Sequence, residues 1–193
     1  RTMPAYNAKQ TEVDFNRLAS SCDRAWLVHF IGSSRDLVFI CGMFRSGSTL
    51  LEQMLASHPR FVAGGESEFF PRLVAREFPG YPLGLDSLAV EKSRAWQRQH
   101  GDQVGRLFGE SVRVTDKRPD NFLCLGLIKA VLPAARFVVT ERDWRDIATS
   151  VFSVRLGPSQ PYATNLEDIR HYISMQTKLV DHWEGVLGSD LMR

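Results

Sequence analysis

The sequence has few cysteines and little net charge. Its three cysteines, Cys22, Cys41 and Cys124, lie far apart and form no CxxC pair, so they predict neither a disulfide framework nor a zinc site. Their apolar neighbours predict buried thiols. The 24 basic and 22 acidic residues leave a formal charge of +2, which gives no general attraction to nucleic acid or to an anionic membrane. Any site for an anion must therefore be local.

A long hydrophobic segment is also missing. No apolar run approaches the roughly 20 residues that a membrane-spanning helix requires, and the N-terminus has no signal-peptide pattern. We therefore expect a soluble chain, and the unpaired cysteines favour a reducing compartment, the cytoplasm. The sequence begins without methionine and ends at Leu191, Met192 and Arg193 without a helix stop signal. We thus expect the fold to be incomplete at its C-terminus.

Strands and helices alternate along the sequence. Its 193 residues, 44% of them hydrophobic, suffice for the core of one domain. Three short runs rich in β-branched and aromatic residues predict strands, namely DLVFICG, SVRVTDK and ARFVVTERD. Helical patterns cover residues 48–57, 120–132, 144–156 and 165–187. This alternation predicts an α/β fold with a parallel sheet and helices on both faces.

The remaining segments are more polar. Residues 1–36 carry one predicted helix, Thr11 to His29, and we expect them to pack on the domain formed by residues 37–193. The run EFFPRLVARE predicts a further helix. The span from Phe78 to Ser93 contains two prolines and two glycines, which predicts a surface excursion before a polar helix that ends near Leu107.

A glycine loop follows the first predicted strand. In CGMFRSGSTLLEQML, residues 41–55, Gly42, Gly47 and Thr49 match the phosphate-binding pattern G-x-x-x-x-G-K-[ST], but Ser48 occupies the lysine position. A preceding strand and a following helix are the context that this motif requires. Such glycines let successive backbone N–H groups point at one anion, while the start of the helix adds partial positive charge.

Arg45 is the cation within this loop. A planar, bidentate donor suits one compact anionic group better than it suits a triphosphate with magnesium. The alternative is a structural glycine turn that leaves Arg45 on the surface.

A second candidate anion site follows the third predicted strand. In TERDWRDIATSVF, Arg142 lies at the end of the strand and Ser150 comes eight residues later, about two turns into the next helix. The carboxyl end of a parallel strand is where α/β sheets bind ligands, so the two side chains could meet on one anion. The alternative is a solvated charge cluster in which Arg142 pairs with Asp146 or Glu141.

These segments resemble the sulfotransferases that use 3′-phosphoadenosine 5′-phosphosulfate (PAPS). FRSGSTL resembles the 5′-phosphosulfate loop of that family, and the spacing of Arg142 and Ser150 resembles its 3′-phosphate site. HPRFVAGGE is similar to the stretch that ends in the catalytic glutamate of tyrosylprotein sulfotransferases and their bacterial relatives. TDKRPDNFLCLGLI is similar to their DK-x-P-DNF segment. The resemblance covers roughly residues 37–187.

The resemblance implies a P-loop-like sulfotransferase fold and a sulfuryl transfer from PAPS to a hydroxyl group, with adenosine 3′,5′-bisphosphate as product and without a metal. The acceptor would be a protein tyrosine, a sugar or a small-molecule alcohol. A phosphosulfate carries less charge than a triphosphate, so the missing loop lysine is then expected. The residues implied to bind the nucleotide are Arg45, Ser46, Gly47, Ser48, Thr49, Arg142 and Ser150.

The resemblance also implies three catalytic residues, Glu66, Lys117 and Arg45. Glu66 would be the base for the acceptor hydroxyl, brought close to the loop by Gly64 and Gly65, and partial burial would strengthen it as a base. Lys117 would stabilise the bridging oxygen of the departing nucleotide, and Arg45 would share that charge.

Each role has a simpler alternative. Glu66 could be an exposed loop residue, with Glu68 as a competing base, and Lys117 could pair with Asp116. We interpret His58, before Pro59, as a helix end rather than a base. We assign Trp144, Trp183 and the stripe of Tyr172, Met175 and Leu179 to core packing.

Two other functions remain open at this point. One is an atypical P-loop nucleotide kinase, for which TERD offers Glu141 and Asp143 as magnesium ligands. The other is a non-catalytic nucleotide-binding module of the same fold. The Golgi lumen is the alternative compartment, if the chain belongs to a longer, membrane-anchored protein. The sequence predicts no oligomeric state.

Overall fold

One parallel sheet organises the molecule. The computed structural model describes residues 4–109, 113–154 and 156–193. Within these ranges the sheet has five strands in the order β2-β3-β1-β4-β5, and every pairing is parallel. The strands are β1 (Val38–Gly42), β2 (Phe61–Ala63), β3 (Arg113–Lys117), β4 (Arg136–Thr140) and β5 (Leu191–Met192). The predicted α/β fold is confirmed.

Helices flank this sheet. They are α1 (Ala8–Ser21), α2 (Arg24–Leu27), α3 (Ser48–Ala56), α4 (Phe69–Glu77), α5 (Val90–Phe108), α6 (Leu125–Val131), α7 (Trp144–Ser153) and α8 (Leu166–Leu187). Asn165 caps α8 by accepting a hydrogen bond from the backbone N–H of Glu167 at 2.8 Å, as its position before the helical pattern predicts.

The central strand β1 lies in the core of the sheet, and its apolar sequence suits that place. It lies between β3 and β4, so both of its edges are paired, and all five of its residues are buried. Phe39 is completely buried, with its ring 5.8 Å from the rings of both Phe70 and Phe137. A continuous apolar run is what a strand covered on both faces requires.

Several boundaries differ from the sequence prediction. The single N-terminal helix is interrupted after Ser21, because Asp23 accepts a hydrogen bond from the N–H of Trp26 at 2.7 Å and thereby starts α2. The segment 120–132 begins as a 3₁₀ helix, Pro119–Leu123, before α6. The first two residues of SVRVTDK and residue 155 of the predicted helix 144–156 lie outside the described residues.

The span after α4 is more buried than predicted. Phe78 is 7% exposed and Leu85 is completely buried, and the Tyr81 hydroxyl donates to the carbonyl oxygen of Leu123 at 2.9 Å. The prediction of a surface excursion is therefore wrong for these residues, because their side chains, before, among and after the prolines and glycines, pack into the core.

The N-terminal segment packs against α8. Phe15 and Leu18 of α1 are buried, and the Phe15 ring lies 5.7 Å from that of Tyr172. The Tyr6 hydroxyl lies 2.8 Å from His171 Nδ1. A division between residues 1–36 and 37–193 stays a prediction.

The cysteines form no disulfide. Cys22 and Cys41 are completely buried, and burial raises the pKa of the Cys22 thiol to about 12. No helix in the described part of the chain is both long enough and apolar enough to cross a membrane.

Candidate active site at the carboxyl edge of the sheet

The glycine loop connects β1 to α3 and is fastened to β4. Ser46 Oγ donates to the carbonyl oxygen of Met43 at 2.7 Å and lies 2.6 Å from Thr140 Oγ1. Gly42 has φ +145°, and a Cβ there would lie 2.4 Å from the Thr140 carbonyl oxygen. The close approach of these two strand ends therefore requires glycine.

The loop shape exposes the start of α3. Gly47, with φ +102°, precedes the helix, and among the described residues no side chain caps its first N–H groups. Ser48 is 5% exposed, whereas Thr49 is exposed. Arg45 has φ 71°, a left-handed conformation that is uncommon for a residue other than glycine. Uncapped helix N–H groups next to an arginine form a site suited to an anion.

Arg45 reaches the second candidate anion site. Its Nε donates to Ser150 Oγ at 3.0 Å, across 105 positions of sequence. Ser150 belongs to α7, which follows β4, the neighbour of β1. The structure therefore brings these two sequence-predicted residues together at one edge of the sheet.

Arg142 has a different neighbour. Its guanidinium contacts Asp146 Oδ2 at 3.2 Å, with side chains 49% and 57% exposed. This ion pair is the alternative that the sequence left open. Because the pair is solvated, it contributes roughly 1 kcal/mol or less to stability and can be broken at little cost.

Glu66 and Lys117 form an ion pair at the adjacent strands. Lys117 Nζ donates to Glu66 Oε1 at 2.6 Å. Lys117 ends β3, and its side chain is 10% exposed, while that of Glu66 is 50% exposed. Gly64 permits this approach, because a Cβ there would lie 2.2 Å from the Thr115 carbonyl oxygen.

The competing partners of these residues are occupied elsewhere. Asp116 accepts a hydrogen bond from Asn121 Nδ2 at 3.1 Å, rather than an ion pair with Lys117. Burial raises the pKa of Asp116 to about 7, against the opposing influences of Asn121 and Arg118. Glu68, the competing base, accepts from the Arg118 guanidinium.

Sequence reasoning missed a buried carboxylate on α3. Leu50 and Met54, whose spacing indicated this helix, are 67% and 62% exposed, whereas Glu52 is 3% exposed. Glu52 Oε1 accepts hydrogen bonds from Thr115 and from the backbone of Gly65. An apolar pattern contains no signal for such a residue, because it assigns charged positions to the solvent face.

Trp144 is not a core residue. It is 41% exposed, and the guanidinium carbons of Arg145 and Arg170 lie 5.0 and 5.9 Å from its ring centroid. The prediction of core packing is wrong here because the residue starts α7 on its solvent side. Trp183 is completely buried, as predicted, and its Nε1 donates to the Phe122 carbonyl oxygen at 2.8 Å.

The fold agrees with that of a solved sulfotransferase. The sulfotransferase domain of the olefin synthase from Synechococcus PCC 7002 superposes with a TM-score of 0.58 at 21% identity, over 84% of this chain and 66% of that one. A likeness at this identity shows a shared fold. The sheet and its glycine loop therefore define a sulfotransferase fold.

Sequence comparison gives the family. A model described as "Sulfotransferase family" matches residues 37–193, and the chain belongs to that family. It is 29% identical to an uncharacterized protein of Aquifex aeolicus (strain VF5), over 78% of this chain and 21% of that protein. It is also 28% identical to protein-tyrosine sulfotransferase 1 of Danio rerio, over 61% of this chain and 35% of that protein. The chain thus spans well under half the length of these two relatives.

Proposed function

We propose that the protein transfers a sulfuryl group from PAPS to a hydroxyl acceptor. The observation that carries this proposal is the 3.0 Å hydrogen bond from Arg45 to Ser150. It joins the segment that resembles a phosphosulfate loop to the one that resembles a 3′-phosphate site, so that one nucleotide could span both. Membership of the sulfotransferase family supports the same class of reaction.

The side chains of this edge suit such a donor. The open space beside Gly47 and the start of α3, which no side chain of the described residues caps, would accept a compact anion without a lysine. In this proposal, the 5′-phosphosulfate is held by Arg45, Ser46, Gly47, Ser48 and Thr49. The 3′-phosphate is held by Arg142 and Ser150, after Arg142 leaves Asp146.

Glu66 and Lys117 would perform the transfer together. Bound PAPS supplies the sulfuryl group and a leaving phosphate oxygen. Glu66 accepts the proton of the acceptor hydroxyl, and the Lys117 ammonium neutralises the oxygen that departs. Their 2.6 Å contact keeps both groups at one point until the substrates separate them.

A phenol is the acceptor to test first. Tyrosine ionises near pH 10, well below an aliphatic alcohol, so a half-exposed carboxylate can assist it more easily. The curated relatives that are named protein-tyrosine sulfotransferases favour the same choice. Sugars and small-molecule alcohols are the other members of the proposed acceptor class.

Ligand-dependent melting tests the donor. Adenosine 3′,5′-bisphosphate should raise the Tm, and Arg142→Ala should reduce this shift. ATP with magnesium should have little effect, since the loop lacks the lysine that reaches a triphosphate. Stabilisation by magnesium-ATP alone would favour a kinase instead.

A second measurement tests catalysis. Transfer from ³⁵S-labelled PAPS to a tyrosine peptide should fall roughly 100-fold or more in Glu66→Gln, with bisphosphate affinity retained. Glu68→Gln is the matched control and should keep its activity, because Glu68 contacts Arg118 rather than Lys117. Tight bisphosphate binding without transfer to any hydroxyl class would indicate a non-catalytic module.

A further inference from the structure

Glu52 stands out among the acidic residues. It is 3% exposed on α3, the helix that begins at the glycine loop. Its Oε1 accepts hydrogen bonds from Thr115 Oγ1 at 2.8 Å and from the backbone N–H of Gly65 at 3.1 Å. Carboxylates are seldom this buried without a charged partner, yet both of these donors are neutral.

The two donors adjoin the proposed catalytic pair. Gly65 immediately precedes Glu66, and Thr115 lies on β3 two residues before Lys117. A single oxygen of Glu52 therefore contacts both chain segments that carry the pair. It also ties them to α3, whose first turn belongs to the proposed donor site.

The turn before Glu66 needs this acceptor. Gly64 N–H donates to the Thr115 carbonyl oxygen at 3.0 Å, and the Gly65 carbonyl oxygen accepts from Lys117 N–H at 2.8 Å, so these groups continue the pairing of β2 with β3. Gly65 has φ +68°, and its own N–H donates to Glu52 instead of to β3. Of the two N–H groups of Gly64 and Gly65, Glu52 thus accepts from the one that does not pair with β3.

We propose that Glu52 is a positioning residue for Glu66. It acts through the Gly65 N–H and the Thr115 hydroxyl to set the distance between the base and the donor site. At 3% exposure it has no access to substrate, so its role is indirect. This inference rests on the proposed function, because it assumes that Glu66 is the base. Misplacement of a reacting group by about 1 Å can cost 100-fold in rate.

Substitutions at Glu52 test the inference. Glu52→Ala should lower kcat roughly 10- to 100-fold while the Kd for adenosine 3′,5′-bisphosphate stays within about 2-fold. Glu52→Gln should recover most of kcat, since an amide oxygen can accept both hydrogen bonds. Gln53→Ala, at the exposed next position of α3, is the control and should match the wild type.

Thr115 supplies an independent pair of variants. Thr115→Val keeps the shape of the side chain but removes the hydroxyl, so kcat should fall in the same direction as in Glu52→Ala. Thr115→Ser should retain kcat. This pair decides the question if Glu52→Ala fails to fold, which its Tm and far-ultraviolet circular dichroism would reveal.

The outcomes separate the two proposals. Full turnover in Glu66→Gln would exclude Glu66 as the base and with it the role of Glu52, but would leave the proposed function standing; absence of transfer to every hydroxyl class in the wild type would overturn the proposed function itself. Loss of turnover in Glu66→Gln with full turnover in Glu52→Ala would overturn only the role of Glu52. Equal loss of kcat and of bisphosphate affinity in Glu52→Ala, or no recovery in Glu52→Gln, would also overturn it, because a positioning role predicts a selective and reversible effect on kcat.

Discussion

The glycine loop and the start of α7 are two candidate anion sites built in different ways. In the loop, backbone N–H groups supply most of the proposed contacts to the anion, and Ser46 and Ser48 are buried. At the second site, the proposed ligands are the exposed side chain of Arg142, just before α7, and the half-buried side chain of Ser150 within it. Each already has a partner, since Arg142 contacts Asp146 and Ser150 contacts Arg45. The loop is therefore preformed, whereas the second site must exchange hydrogen bonds before it can hold a phosphate.

This difference predicts where binding energy is lost. A preorganised site spends little free energy on rearrangement, but side chains that change partners subtract from the affinity that they provide. Substitutions in the loop should therefore damage both the fold and binding, and those on α7 should alter binding alone.

The largest effect should come from Gly42→Ala. The added Cβ would meet the Thr140 carbonyl oxygen at 2.4 Å, so β1 and β4 must separate at the loop. We expect the free energy of unfolding to fall by about 3 kcal/mol and bisphosphate binding to disappear in calorimetry. Gly101→Ala, in α5 with open space around it, should instead stabilise the protein slightly. Equal effects of the two substitutions would mean that the close contact of Gly42 with Thr140 does not require glycine.

A smaller effect on stability should come from Asp116→Asn. Burial raises the pKa of this carboxyl from 3.8 to about 7, so the folded protein holds a proton that the unfolded chain releases between those pH values. Asp116 therefore costs stability as the pH rises from about 4 to 7. The substitution should raise the Tm by a few degrees at pH 8 and change it little at pH 4. An equal gain at both pH values would exclude this titration as the cause.

Arg142→Ala should affect binding without affecting stability. Losing one charged hydrogen-bond donor should weaken binding of adenosine 3′,5′-bisphosphate roughly 10-fold, while the Tm of the free protein stays constant because the Asp146 pair is solvated. Adenosine 5′-phosphate, which lacks the 3′-phosphate, should bind the variant and the wild type alike. Equal weakening for both nucleotides would place Arg142 elsewhere in the site.

The smallest effect has the opposite sign. Asp146→Asn removes the carboxylate that competes for Arg142, so affinity for the bisphosphate should increase about 2- to 5-fold. Titration calorimetry at low salt would measure the change. Weaker binding would mean that Asp146 holds the Arg142 guanidinium in its binding orientation instead of competing with the phosphate for it.

Much of this architecture follows from local patterns. The apolar run of β1, the glycines of the loop and Asn165 before α8 each predict the observed element, because each depends on neighbours in sequence. Strands β2 and β5 have three and two residues, which is too short for a periodic signal, so only pairing with β3 and β4 reveals them.

The candidate site was harder to predict than the fold. Residue types indicated Arg45 and Ser150, but their contact depends on how α7 lies beside the loop. The Glu66 partner and the burial of Glu52 depend on strand register, which one sequence does not contain. The sequence also left the partner of Arg142 undecided, because a long, flexible side chain can reach two partners of similar energy.

Arg45 adopts a backbone conformation, φ 71°, that costs a residue with a side chain roughly 1–2 kcal/mol. Asparagine tolerates this conformation better but would remove the positive charge. Replacing Arg45 by asparagine should therefore increase the stability of the fold and decrease the affinity of the loop for an anion. The proposed role of Arg45 therefore sets stability against binding at this single position, and Arg45→Asn should raise the Tm while it weakens binding of adenosine 3′,5′-bisphosphate.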